Sequence, residues 1–351
     1  MGSTKGLGEN GIKQLLYAPN IHQGGGKTLL LPLLKQLEGE AIFILDQRLE
    51  LPPELVNIEA IWTKPNLLAR LYMELKLCQL TTKETTVLCM GNLPPLFAKG
   101  ILKVFLQNRY LVERISLKAF KKRIQARIIC ERAWLYIKSS SVETFIVQTP
   151  TMQELLLNSL DIQAKVLPFI PKELMLQSSC KKEHIKVLYD FLYIASGEPH
   201  KNHKLLVEAW VFLAEQNLFP SLCLTFEKEQ FPELDDWVTS MVDRFDLNIV
   251  IVGEIPHENI DELYQQSAAL IYPSEYESFG LPLIEAVILD LPVLAIDRPY
   301  VTDVISPTAS FKTDSSENIA EAVKSFDFKS ASLAIDLLDT QQFIYRAFGS
   351  V

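Results

Sequence analysis

Short apolar runs of strand length alternate with helix-patterned stretches along both halves of this chain, and that alternation restricts it to parallel-sheet α/β architecture. In the first half the strand runs are Gln14–Ala18, Ala41–Leu45, Thr86–Met90, Lys103–Leu106 and Thr144–Gln148. In the second they are Ile185–Ala195, Leu222–Phe226, Asn248–Val252, Ala269–Tyr272 and Val293–Ile296. Between the halves, Pro168-Phe-Ile-Pro-Lys172 and the polar Gln177-Ser-Ser-Cys-Lys-Lys-Glu183 interrupt the pattern. A chain of 351 residues exceeds one small domain, so two are expected. The expected division is a flexible end at 1–11, a first Rossmann-like domain at 12–170, a linker at 171–184, a second domain at 185–330 and a helical segment at 331–351. Doubly wound sheets place their ligand crevices beyond the carboxyl ends of the strands, so the two crevices should face one another across a cleft.

Composition narrows the setting. Five cysteines, odd in number and never two residues apart, offer neither a disulfide framework nor a zinc site, which suits a reducing cytoplasm. Neither a secretory signal nor an apolar run long enough to span a bilayer is present. His200, His203 and His257 lie on expected loops without carboxylates at ligand spacing; they read as surface or supporting groups, and no metal is expected.

The richest stretch is Glu277-Ser-Phe-Gly-Leu-Pro-Leu-Ile-Glu285, two carboxylates framing a glycine turn and a proline-started helix. Ionised carboxylates accept paired hydrogen bonds from sugar or ribose hydroxyls. Gly280 lets backbone approach a ligand, and the N–H groups around Phe279, Gly280 and Leu281 sit at a helix start that favours anions. Spacing alone leaves an ordinary strand, loop and helix equally open. The wider wording decides the matter: Tyr272-Pro-Ser-Glu-Tyr-Glu-Ser-Phe-Gly-Leu-Pro-Leu-Ile-Glu-Ala286, followed by Leu291-Pro-Val-Leu-Ala295, closely resembles the donor-site signature of the retaining glycosyltransferases of family 4, which have the GT-B fold. The resemblance is strong over about 186–325 and mostly topological over 12–170.

That resemblance implies a retaining, metal-independent glycosyltransferase of the bacterial polysaccharide or lipopolysaccharide type. It would move a sugar from a nucleoside diphosphate sugar to a glycan or lipid-linked glycan acceptor, with no cofactor. Glu277 would hold the sugar hydroxyls and Glu285 the donor ribose. In Ala195-Ser-Gly-Glu-Pro-His-Lys-Asn-His203, which alone reads more readily as a surface loop with a solvated lysine, Lys201 would hold the diphosphate, with Gly197 turning the loop and Asn202 assisting. Many family members carry an arginine just before that lysine; Ser196, Gly197 and Glu198 stand there instead, leaving backbone N–H groups or Arg298 to help. Gly253 follows a strand at the position where the family seats the base. Two rival readings are a GT-B nucleotide-sugar epimerase and a non-catalytic nucleotide-sugar-binding subunit.

In the first half, Gly24, Gly25 and Gly26 open a helix after the first strand. A P-loop would require glycine at position 21, which is Ile21, so that motif fails on spacing. The three glycines resemble instead the acceptor-side glycine loop of GT-B transferases. Gln107 stands where many members have histidine; with Asn108 it marks the acceptor side but cannot titrate. From Lys99 to Lys138 eleven basic residues face two acidic ones, a local +9 in a chain whose net charge is −9. Leu117, Phe120, Ile124, Ile128 and Leu135 form a stripe along an expected basic helix at 116–137, which fits equally a packed helix with a solvated basic face or contact with an anionic membrane surface. Peripheral attachment to the inner face of the cytoplasmic membrane follows from the second reading. Nucleic acid is not expected, because no stacking aromatics interleave the basic run and the chain is acidic overall.

Overall fold

The computed structural model describes residues 14–117, 120–176, 186–255, 259–313 and 315–349. The chain divides into two compact units: one formed by residues 1–172 together with 337–351, the other by residues 173–336.

In chain order, the first unit carries β1 (Gln14–Ala18), α1 (Gly24–Gln36), β2 (Ile42–Asp46), β3 (Ala60–Thr63), α2 (Leu67–Leu80), β4 (Thr86–Cys89), β5 (Ile101–Phe105), α3 (Lys122–Lys138), β6 (Thr144–Val147), α4 (Pro150–Leu160) and β7 (Lys165–Val166). After α5 (Lys172–Leu176), the second unit holds β8 (Tyr189–Tyr193), α6 (His203–Ala214), β9 (Leu222–Leu224), α7 (Pro232–Phe245), β10 (Ile249–Ile251), α8 (Ile260–Gln265), β11 (Ser267–Tyr272), α9 (Leu281–Ile288), β12 (Val293–Ile296), α10 (Pro299–Thr302), β13 (Ile305–Ser306), β14 (Ala309–Phe311), α11 (Ser316–Lys324) and β15 (Leu333–Ala334). α12 (Thr340–Phe348) then rejoins the first unit.

Both main sheets are wholly parallel, in the orders β3-β2-β1-β4-β5-β6-β7 and β10-β9-β8-β11-β12-β14. The central strands are apolar on both faces, as a sheet covered by helices on each side requires: Leu15, Leu16, Val87, Leu88, Ile146 and Leu270 are all 0% exposed. Right-handed crossovers place α2, α3 and α4 on one face of the first sheet, where Met73, Leu77, Leu135, Met152 and Leu156 share a core with Leu15, Tyr17 and Val104. On the other face α1 meets α12. Phe343 of α12 stacks on Phe169 at a centroid distance of 3.9 Å and meets Phe105 edge-on at 5.5 Å. The helix starts follow local chemistry. Thr149 accepts from the Met152 N–H ahead of Pro150, Asn66 accepts from Ala69, and Asp339 forms a capping box with Gln342.

The basic helix is α3. α3 begins at Lys122, six residues later than the expected start, because Leu117 and Phe120 lie in the irregular segment ahead of it. Ile128 and Leu135 are 3% and 1% exposed, so these two stripe positions are packed. Arg132 is drawn inward by two backbone carbonyls, those of Tyr110 and Glu113.

Candidate functional site

Each sheet has one place where the strand order reverses: between β1 and β4 in the first unit, between β8 and β11 in the second. The loops leaving adjacent strands diverge there and open a crevice. The residues singled out from sequence gather beside these two points.

In the second unit, β8 leads into the loop 194–198, a single 3-10 turn at Pro199–Lys201, and α6. Asn202 adopts φ +57°, and its amide donates to the Pro273 carbonyl at 2.9 Å, fixing this loop to the one leaving β11. The Glu275 N–H donates to the His200 carbonyl at 2.8 Å, adding a second tie. The Tyr193 hydroxyl donates to the Lys201 carbonyl at 2.7 Å. Lys201 Nζ thus reaches Glu277 Oε1 at 2.5 Å, and the same oxygen accepts from Ser274 Oγ at 2.6 Å and the Tyr272 hydroxyl at 2.9 Å. Burial pushes the Glu277 carboxyl upward, but the Lys201 ammonium and the bonds from Lys201 and Ser274 outweigh it and hold the group below the usual glutamate range.

Gly280 caps α9 at φ +77°, a region that suits glycine, and Pro282 lies in the first turn where no N–H partner is needed. Leu281 opens that helix, while the Phe279 ring is 3% exposed and belongs to the core, leaving its backbone to line the turn. Glu285, 7% exposed, sits on the second turn and accepts from the Tyr264 hydroxyl at 2.8 Å. Gly197 is fixed by a neighbour: a Cβ there would lie 2.4 Å from Cγ of Phe231. Gly253 follows β10 at φ +80°, on the same edge of the sheet.

The expectation for His203 narrows, and Arg298 is already paired. His203 is 3% exposed at the start of α6, packed on Tyr193 and Phe226 with neither ring nitrogen hydrogen-bonded, so it is a core group and not a surface one. Burial, with Lys201 and His200 nearby, lowers its pKa to about 3; burial and Lys201 lower that of His200 to about 4. The Arg298 guanidinium binds Glu275, which also accepts from Thr313 at 3.0 Å. His257 and Cys180 lie outside the described residues. Tyr264 and Ser274 emerge only in three dimensions, since a tyrosine before a strand and a serine in a turn carry no spacing signal.

In the first unit, Gly24, Gly25 and Gly26 form the first turn of α1, with Gly24 at φ +62°. A Cβ on Gly26 would stand 3.8 Å from Gln107 Oε1, which places the glycine turn beside that side chain. Asn92, at φ +71°, accepts from the N–H groups of Gln107 and Asn108 at 2.6 and 2.9 Å. Gln107 Nε2 donates to Gln148 Oε1 at 3.3 Å, and Gln148 Nε2 to the Phe169 carbonyl. The side chain of Asn108 accepts from Tyr110 N–H, capping the short turn at Arg109–Leu111. Glycine turn, Asn92, Gln107 and Gln148 therefore line the carboxyl edge of four neighbouring strands. Among the described residues no group of three or more His, Cys, Asp or Glu side chains is placed to hold a metal ion.

Comparison with known proteins bears on the second unit first. Residues 181–327 match the family of glycosyl transferases group 1. That match lies within the second unit and covers less than half of the chain. Over 118 residues the chain is 30% identical to the O-antigen chain mannosyltransferase B of Escherichia coli, a match covering 32% of this chain and 30% of that protein. Over 152 residues it is 32% identical to the serotype-specific mannosyltransferase WbdA of Escherichia coli, covering 38% of this chain and 17% of the relative. The matches thus span less than a third of either relative. In structure, the chain resembles HepE of Anabaena, solved with UDP and glucose, at a TM-score of 0.66 over 90% of this chain and 89% of HepE, with 12% identity. Two doubly wound parallel-sheet domains of this kind make the GT-B fold.

Proposed function

We propose that the chain is a retaining, metal-independent glycosyltransferase that moves a hexose from a nucleoside diphosphate sugar onto a glycan or lipid-linked glycan, in the assembly of a bacterial surface polysaccharide. The observation that carries the reading is the joining of Lys201 and Glu277 at the switch point of a group 1 domain, with buried Glu285 on the adjoining helix. A diphosphate entering that crevice would share the Lys201 ammonium and neutralise its own charge there and at the start of α9. Glu277 and Glu285 would accept from sugar and ribose hydroxyls, with Gly253 admitting the base and Asn202 holding the Lys201 turn in place. The UDP and glucose of HepE support a nucleotide sugar, and the names of the relatives support mannose as the first sugar to test and an O-antigen-like glycan as acceptor.

On the acceptor side the proposal assigns contact to Gly24, Gly25, Gly26 and Gln107, with Asn108 shaping the loop. Gln107 and Gln148 offer hydrogen bonds but no titrating base, so the departing diphosphate would take the proton of the attacking hydroxyl. The mannosyltransferase relatives favour transfer over epimerisation or simple binding. Calorimetry against GDP-, UDP-, ADP- and dTDP-sugars is the decisive test. Saturable binding of one of them, lost in Glu285→Ala, is expected; no binding of any would end the reading.

A further inference from the structure

The packing of the α3 stripe leaves the positive charge of the first unit on its surface and moves attention to the neighbouring helix. α2 is amphipathic in an unusual sense. Its inner side buries Met73, Glu74 and Leu77, yet its outer side is also apolar: Leu67, Leu68, Leu71, Tyr72 and Leu75 are 85%, 81%, 48%, 65% and 53% exposed. At 100° per residue these five fall on one face, and no charged residue interrupts it. The helix carries one acidic residue, Glu74, which is turned inward to the Tyr17 hydroxyl and the Leu96 N–H. A soluble face of this composition is uncommon and marks a contact surface.

α3 lies beside α2 on the same side of the sheet, and Arg70 of α2 is close enough to act on the Glu131 carboxyl of α3. Both helices follow a parallel strand and so begin at the same edge, the carboxyl edge that also carries Gln107 and the glycine turn. At that edge α2 presents Leu67, Leu68 and Leu71, α3 presents the exposed Lys121, Lys122 and Arg123, and neither first turn contains an acidic residue. Further along, Ile129, Tyr136 and Ile137 of α3 are 58%, 70% and 71% exposed. Leucines and tyrosines project outward while cations gather at one end. That combination fits an interface with two requirements at once, an apolar layer to enter and anions above it.

We propose that the outer face of α2, together with the basic start of α3, docks the first unit on an anionic phospholipid bilayer. Leu67, Leu68, Leu71 and Leu75 would enter the boundary between headgroups and acyl chains, the tyrosine hydroxyls would stay at headgroup level, and Lys121, Lys122 and Arg123 would meet lipid phosphates. The inference stands without the transferase reading, because it concerns vesicles and not nucleotides.

Flotation of the full chain with phosphatidylglycerol-containing and pure phosphatidylcholine vesicles tests it. Partitioning onto the anionic vesicles, weakening with salt, is the expected result. Leu68→Glu/Leu71→Glu should lower that partitioning roughly tenfold or more, and Lys121→Glu/Lys122→Glu/Arg123→Glu should do the same. All these side chains are exposed, so thermal melting and nucleotide-sugar affinity should be unchanged. Absence of wild-type binding would overturn the proposal, as would equal binding by the leucine variant. So would a wild-type dimer in analytical ultracentrifugation that Leu68→Glu/Leu71→Glu dissociates while vesicle binding is absent, which would make the face a self-association surface.

Discussion

Lys201 and Glu277, 76 positions apart in sequence, meet with Nζ 2.5 Å from Oε1 at the point where the second sheet reverses its strand order. The cation proposed for the diphosphate is thus paired with the carboxylate proposed for the sugar. Lys201→Ala would leave Glu277, whose side chain is 15% exposed, without its counter-charge, at a cost of about 3 kcal/mol to unfolding. Adding Glu277→Gln should recover much of that stability and none of the donor affinity. Urea denaturation of the two single variants and the double variant, with calorimetry on each, separates the roles; full recovery of binding would place the diphosphate elsewhere.

Acid should loosen the second unit in two stages. His200 and His203 have folded pKa values of about 4 and about 3 against an ordinary 6.5, so the unfolded chain binds more protons below 6.5 and stability falls as pH drops from there toward 3. The loss reaches about 3 kcal/mol for His200 and about 5 kcal/mol for His203. Glu277 is also depressed, and its contribution, complete above the ordinary 4.5, is lost below that as the carboxylate protonates. His203→Phe keeps the contacts with Tyr193 and Phe226 and removes two unpaired buried nitrogens, so its melting temperature should depend less on pH between 6.5 and 4. An unaltered pH slope would show that His203 does not titrate on unfolding.

Glu285→Ala should weaken nucleotide-sugar binding by about 2 kcal/mol, because donor hydroxyls would lose a charged acceptor. Tyr264→Phe removes the hydroxyl that Glu285 accepts from at 2.8 Å, and a smaller loss, about 1 kcal/mol, is expected. Equal affinity in wild type and Glu285→Ala, measured by titration calorimetry, would remove Glu285 from the site.

Gly197→Ala forces a methyl to within 2.4 Å of the Phe231 ring. Overpacking of this kind costs about 1 to 3 kcal/mol and would shift the loop that leads to Lys201. Donor affinity should fall with it, and Phe231→Ala in the same chain should restore part of both. A Gly197→Ala variant with wild-type melting and affinity would show that the loop yields freely.

The parallel sheets were legible because buried central strands such as Leu222–Leu224 and Val293–Ile296 are continuous apolar runs that end at turns. Ala60–Thr63 escaped notice: it is a four-residue edge strand whose Trp62 is 41% exposed, so it lacks both length and apolar continuity. Lys165–Val166, only two residues, is shorter still. At the site, wording pointed to Glu277, Glu285 and Lys201, yet the bonds among them depend on strand order, which no local pattern carries. His203 looked like a loop residue because polar neighbours surround it in sequence; its burial comes from Tyr193 and Phe226, ten and twenty-three positions away.

The return of α12 to the first unit means that this unit is discontinuous along the chain. During synthesis, Phe105 and Phe169 leave the ribosome long before Phe343, the ring that closes over them, so the second unit can be complete while the first still has an open seam. Until α12 docks, the Phe105 and Phe169 rings therefore lack their cover, whatever the state of the second unit.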